Sequence, residues 1–209
     1  MMFYELEKQF LKRKIKYVIG IDEVGRGCLA GDVVACAVCI DMENILEGVK
    51  DSKKLSPKKR EAMSEKILEN VVAFSIGRQS AQIIDKINIR QATLRAMKSA
   101  LDSCLIDLHK KGIEPHIVLV DAEKIESKIP LISIKHGDEL SYAIGCASIV
   151  AKVHRDNLCL DWDEIYPEYG IKQHKGYGTK AHRQALIKYG PSPIHRRSFL
   201  TNMEKWKNE

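Results

Sequence analysis

A chain of 209 residues, 44% hydrophobic and 30% charged, is long enough for one domain with its own core and too rich in apolar residues to stay disordered. No apolar run approaches the roughly 18 residues that a membrane helix needs, so no membrane association is expected. Lys and Arg number 34 against 28 Asp and Glu, and the excess gathers from Gly170 to Glu209, a distribution suited to a polyanionic partner and equally to plain solvated surface.

In chain order, MMFYELEKQFLKRK mixes acids with bases and lacks an apolar stretch or a small-residue cleavage site. A short amphipathic helix is expected there, and a secretory signal is not. KYVIGIDE (16–23) and GDVVACAVCI (31–40) are apolar runs around the glycine-rich VGRGCLAG, which predicts strand, tight loop, strand. The six cysteines are too scattered for a disulfide framework, which points to the cytoplasm. Cys36 and Cys39 have a metal-binding spacing, yet residues three apart on a strand face opposite ways, so a buried strand is the better account. Ser56 and Pro57 open a predicted helix to about Asn70, with Ser as N-cap and Pro at the first helical position, and VVAFSIG follows as a strand.

Asn88 and Gln91 are spaced as a capping box for a long helix, which keeps apolar residues at helical spacing from Ile89 to Leu108 and ends at Gly112. HIVLVD (116–121) and PLISIK (130–135) read as strands, SYAIGCASIVAKVHRDNLCL as a helix, and a last helix runs from about Thr179 to Gly190-Pro191. Strands that first pair through tight loops and later alternate with helices predict an α/β fold, a mixed central sheet flanked by helices. Residues 1–209 are expected to form a single domain, with about 166–209 as a basic C-terminal helical extension.

The acids carry the chemistry. Asp22 and Glu23 end one apolar strand, Asp121 ends another, and Asp138 follows a third after His136-Gly137. Singly, each is an ordinary strand end or helix cap. Together they place carboxylates at three strand ends, where sheet ligands bind, and a shared cation would explain them. Oxygen ligands with no His or Cys at ligand spacing favour Mg²⁺ or Mn²⁺ over Zn²⁺. Two such ions about 4 Å apart are a common device for in-line phosphodiester hydrolysis.

GIDEVGRG (20–27), DSKKLS (51–56), VDA (120–122), GD (137–138), ASIVAKVHRD (147–156), HKGYGT (174–179) and HRRSF (195–199) resemble, in order, the blocks of the ribonuclease HII family. The resemblance runs from about Tyr17 to Phe199. It implies a ribonuclease H-like fold with a C-terminal helical region, and a monomer acting on RNA–DNA hybrids and on DNA duplexes containing ribonucleotides. Cleavage 5′ of the ribonucleotide would leave a 3′-hydroxyl and a 5′-phosphate, in ribonucleotide removal and RNA primer removal. The resemblance further implies two ions, Mg²⁺ or Mn²⁺, with Asp22 bridging both, Asp138 helping to hold the ion that activates water, and Glu23 and Asp121 holding the ion that faces the leaving oxygen. Cys28, Ala122 and His136 stand where the family usually has Pro, Gly and Lys.

Substrate contacts are expected from several places. Gly25, Arg26 and Gly27 could bring backbone N–H groups close to a sugar or phosphate, with Arg26 near the 2′-hydroxyl. Ser148 and Lys152, four apart on one helix, could meet the phosphate backbone together. Lys53 is favoured as a phosphate contact by the resemblance, which also implies that Tyr177 stacks on the sugar following the ribonucleotide. Arg196 and Arg197 are expected on phosphates as part of the basic tail. Asp156 is left out of the metal set as an ion pair or cap. Two rival readings are weaker: an actin-like sugar kinase, because Glu23-Val24 intrudes in its phosphate loop and no later Gly-Gly loop follows, and a non-catalytic nucleic-acid-binding module, which does not explain acids at three strand ends.

Overall fold

The computed structural model describes residues 5–49 and 55–206; Lys53 and Lys54 lie outside the described residues. Tyr17–Val24 (β1) and Val33–Asp41 (β2) pair antiparallel around the glycine-rich turn, and Ala73–Gln79 (β3) pairs antiparallel with β2. Beyond β1, Ile117–Asp121 (β4) and Leu131–Ile134 (β5) add in parallel. The described strands thus form one mixed sheet in the order β3-β2-β1-β4-β5. Its central strands are covered on both faces, which is why β2 is buried from Val33 to Ile40 and shows no polar alternation.

The helices are Glu5–Lys12 (α1), Pro57–Asn70 (α2), Ala81–Ile87 (α3), Ile89–Lys110 (α4), Gly137–Leu140 (α5), Tyr142–Ile165 (α6), Ile171–His174 (α7), Lys180–Tyr189 (α8) and Met203–Trp206 (α9). Several of their starts follow side-chain caps. Ser56 accepts from the Lys59 N–H, Asn88 from Gln91, Ser141 from Ile144 and Thr179 from His182, each satisfying one of the first-turn donors left open by helix geometry. Helix α3, unforeseen in the sequence, is capped in the same way by Ser80. At seven residues it is too short to display a helical period.

Helix α6 covers one face of the sheet and α4 the other. Val18, Cys36, Val38 and Leu119 pack with α6, whereas Ile19, Ile21, Cys39, Val118 and Val120 pack with α4. Cys36 and Cys39 therefore face opposite ways, and a shared metal is excluded by the pleat. A further core gathers Ala30, Cys159, Tyr169, Ile171, Leu186 and Leu200, joining the C-terminal helices to the end of α6 and to the turn after β1.

The seat of α6 on β1 depends on Gly20. A Cβ there would stand 2.1 Å from the carbonyl carbon of Ala143 and 2.2 Å from its oxygen, so only glycine lets the helix backbone come this close. Because that clash is with backbone, a small side-chain adjustment cannot relieve it. Gly20→Ala is expected to destabilise the fold by about 3 kcal/mol or more, read as a lower urea midpoint. A variant as stable as the parent would show that α6 can shift freely.

Candidate active site

Strands β1 and β4 run parallel with Ile21 beside Val120, and the same register continued by one residue sets Asp22 beside Asp121. Among the described residues, Asp22, Glu23 and Asp121 offer carboxylate oxygens that all lie within 4.8 Å of one another. Asp138 is not in that trio. It is buried in the first turn of α5, not at a strand end as the sequence suggested. A hydrogen bond from the Gly137 N–H to Asp121 Oδ1, 2.7 Å long, ties its turn to the trio.

Three carboxylates so close repel one another unless a cation or a proton intervenes. Burial, then the charge of Glu23, holds the Asp22 carboxyl well above its ordinary range; Asp121 adds to this and a Ser148 hydrogen bond opposes it. Burial also raises Glu23, against the lowering influence of Arg26. Glu23 Oε2 is buried without a hydrogen-bond partner, an oxygen whose buried charge a divalent cation could balance. The donor set is all oxygen and fits a divalent ion.

The turn after β1 sits beside these acids. Gly25 has φ +90°, and a Cβ on it would meet the Arg155 guanidinium at 2.2 Å. Gly27 is exposed, and a Cβ on it would meet nothing within 4 Å. Gly25 is thus explained by packing within the protein. At Gly27 the missing side chain leaves room for something outside it.

The family model for ribonuclease HII matches residues 19–202. The chain is 54% identical over 202 residues to the ribonuclease HII of Alkaliphilus metalliredigens, covering 96% of this chain and 98% of that one. The chain belongs to the ribonuclease HII family. Its fold agrees with the crystal structure of ribonuclease H2 from Pyrococcus horikoshii OT3, with a TM-score of 0.75 at 25% identity over 92% of this chain and 100% of that one. Bst-RNase HIII, solved in complex with Mn²⁺, shares the fold at a TM-score of 0.68 and 18% identity, covering 93% of this chain and 70% of that one.

The blocks that mark the family have separate jobs in the structure. Arg196 of HRRSF, expected on phosphate, is wholly buried, and this expectation is corrected. Its guanidinium donates to the carbonyls of Gly31 at 2.9 Å, Arg26 at 2.8 Å and Gly25 at 2.7 Å. Arg197 is exposed. Arg155, also wholly buried, donates to the carbonyls of Asp32, Lys175 and Ala30. Charge counting could not reveal either one, since a buried Arg reads as surface until its partners are known.

Ser148 and Lys152 share a face of α6, but not a task. Ser148 is hydrogen-bonded to Asp22, whereas Lys152 pairs with Asp156 at 2.6 Å. Asp156 also lies 3.8 Å from Arg60, so it sits between two cationic side chains. Tyr177 is 44% exposed, which removes it from the core, and it lies against Cys28. Ala122 and His136 both adopt positive φ, 50° and 57°, so the chain takes the left-handed backbone at 122 without the glycine that would favour it.

The Tyr177 loop hangs on a buried histidine pair that the sequence did not reveal. His195 Nδ1 accepts from the Ser192 N–H at 3.1 Å, so its Nε2 carries the proton and donates to His182 Nε2 at 3.0 Å. His182 Nδ1 then donates to the Tyr177 carbonyl at 2.9 Å. Each ring must be neutral, because a second proton would set two N–H groups against each other. Burial accordingly lowers His182 and His195 to about 4. Unfolded histidine takes its proton near 6.5, so stability from this pair is complete above about pH 6.5 and is lost as pH falls toward 4. By pH 5 the loss should reach about 2 kcal/mol per ring, measured as the wild-type decline in urea midpoint beyond that of a His195→Gln variant. Equal declines in both proteins would refute the neutral pair.

Proposed function

We propose that the chain hydrolyses the RNA strand of RNA–DNA hybrids and cuts 5′ of ribonucleotides embedded in duplex DNA, with Asp22, Glu23, Asp121 and Asp138 holding two ions, Mg²⁺ or Mn²⁺. The observation that carries this reading is the convergence of Asp22, Glu23 and Asp121 within 4.8 Å, with a buried Glu23 oxygen lacking a partner. Two divalent ions bound there would lower the pKa of the attacking water and neutralise charge on the leaving 3′ oxygen. Asp22 is best placed as the shared ligand, being beside Glu23 in the chain and beside Asp121 in the sheet. Ser148 holds its carboxylate from α6.

Gly27 leaves room for the sugar of the ribonucleotide, and Arg26 keeps a guanidinium at the edge of the acids. Tyr177, exposed on a loop tied to the same turn through Cys28 and Arg155, offers its ring to the next sugar. Lys152 remains a substrate contact in this reading by exchanging Asp156 for a phosphate, and Lys53 is a second. One catalytic domain spans the chain, which acts as a monomer, with 166–209 as its helical extension. The resulting 3′-hydroxyl and 5′-phosphate suit ribonucleotide removal and RNA primer removal. No described helix is long and apolar enough to cross a membrane.

A duplex carrying one ribonucleotide, incubated with and without Mg²⁺, tests the activity. Asp22→Asn should reduce cleavage at least about a hundredfold, roughly 3 kcal/mol in the barrier, while duplex binding stays within a few-fold. Without metal its melting temperature should equal or exceed the parent's, since a repelled buried charge is removed. Substantial residual cleavage would sink the assignment. Tyr177→Ala should lower cleavage at the single ribonucleotide about ten- to a hundredfold with little change in melting temperature, and Tyr177→Phe should retain more. Normal cleavage by the Ala variant would remove the stacking role.

A further inference from the structure

The turn that ends β4 is strained at one residue and delivers a buried acid. Ala122 has φ +50°, and the Glu123 N–H reaches back to the Asp121 carbonyl at 2.6 Å, a three-residue turn that L side chains adopt with difficulty. Glu123, an acid with no cue to burial among its chain neighbours, is only 9% exposed. Both of its oxygens meet guanidinium groups: Oε1 accepts from Arg26 Nη1 at 3.1 Å and Oε2 from Arg90 Nη2 at 3.5 Å. The same Arg26 Nη1 donates to Glu23 Oε1 at 3.2 Å.

Arg26 therefore stands between an acid of the metal cluster and an acid outside it. A guanidinium and a divalent cation compete for the carboxylate of Glu23, because each is attracted to the same charge and repelled by the other. If Glu23 were the one partner of Arg26, metal binding would strip the guanidinium of its counter-charge in a half-buried place. A second carboxylate removes that conflict. Arg90, largely exposed, balances Glu123 without competing for the cluster.

We propose that Glu123 is a positioning residue that retains Arg26 beside the site when Glu23 engages a divalent ion, so that ion and guanidinium are both held. The proposal rests on the reading of Glu23 as a metal ligand. The bonds to Glu23 and Glu123 both use Nη1, and the guanidinium carries five N–H donors in all, so an Arg26 held by Glu123 still presents donors to the 2′-hydroxyl or the phosphate. It also gives the strain at Ala122 a purpose: the turn that places Asp121 at the end of β4 simultaneously aims the next acid at Arg26.

Mn²⁺ titration calorimetry on the full chain tests this without relying on turnover. Glu123→Ala should weaken Mn²⁺ binding about three- to tenfold, because Arg26 then falls back on Glu23 alone. In an Arg26→Ala background the same Glu123→Ala change should alter affinity by less than about twofold. Equal weakening in both backgrounds would mean that Glu123 acts on the ion through its own charge, and unchanged affinity in the first would mean that it does not act at all; either overturns the proposal. Glu123→Gln keeps size and an acceptor oxygen. It should weaken binding less than Ala, and it serves in the same cycle if the Ala variant melts early. Asp22→Asn is the separate control: undiminished Mn²⁺ binding by that variant would overturn the metal assignment itself, whereas its loss together with a null result at Glu123 overturns the positioning role alone. At saturating Mn²⁺, Glu123→Ala should raise KM for a ribonucleotide-containing duplex several-fold with kcat nearly unchanged, as expected for a misplaced Arg26 and not for a loosened fold.

Discussion

Two wholly buried guanidinium groups, hydrogen-bonded to backbone carbonyls, determine where this chain can put its acids. Arg196 binds the carbonyls of Gly25, Arg26 and Gly31, and Arg155 those of Ala30, Asp32 and Lys175. A buried charge is costly unless its donors are satisfied, and here six carbonyls of two irregular segments satisfy them. Burial lowers Arg196 only to about 10, so the charge persists at neutral pH. The glycine-rich turn after β1, the Tyr177 loop and the C-terminal helices are therefore fixed to one another. Gly25 is needed because a side chain there would occupy the space of the Arg155 guanidinium.

On that frame the acids are held close together at the expense of stability. Asp22, Glu23 and Asp121 crowd together, burial favours protonation of Asp22 and Glu23, and the turns after β4 and β5 pass through positive φ at Ala122 and His136. Each of these features is unfavourable in isolation, and a bound cation would relieve the crowding of the acids. The offsetting interactions lie in the sheet and its two covering helices. Gly20 allows α6 to approach β1 closely enough for Ser148 to reach Asp22.

The C-terminal blocks changed meaning between sequence and structure. Read as charge, HKGYGT and HRRSF suggested a basic surface for phosphates. Folded, part of this C-terminal region is interior: Arg196 supports the turn, and His195, with His182 of α8, carries a neutral hydrogen-bond relay to the carbonyl of Tyr177. Tyr177 and Arg197 remain outside. Basic composition is a guide to solvated charge, and it fails where a cationic side chain finds enough carbonyls to be buried.

Local pattern determined the elements of this protein. Apolar runs bounded by glycine gave β1 and β2, capping residues at Ser56 and Asn88 gave the starts of α2 and α4, and ordered blocks pointed to the ribonuclease HII family and its four acids. These are legible because caps and periodicities act over a few residues. The parallel register setting Asp22 beside Asp121, the place of Asp138 in a helical turn, and the burial of Glu123, Arg155 and Arg196 were decided by tertiary structure alone. Their partners lie far apart in the chain, and whether a charge is buried depends on donors and acceptors that only folding brings within reach.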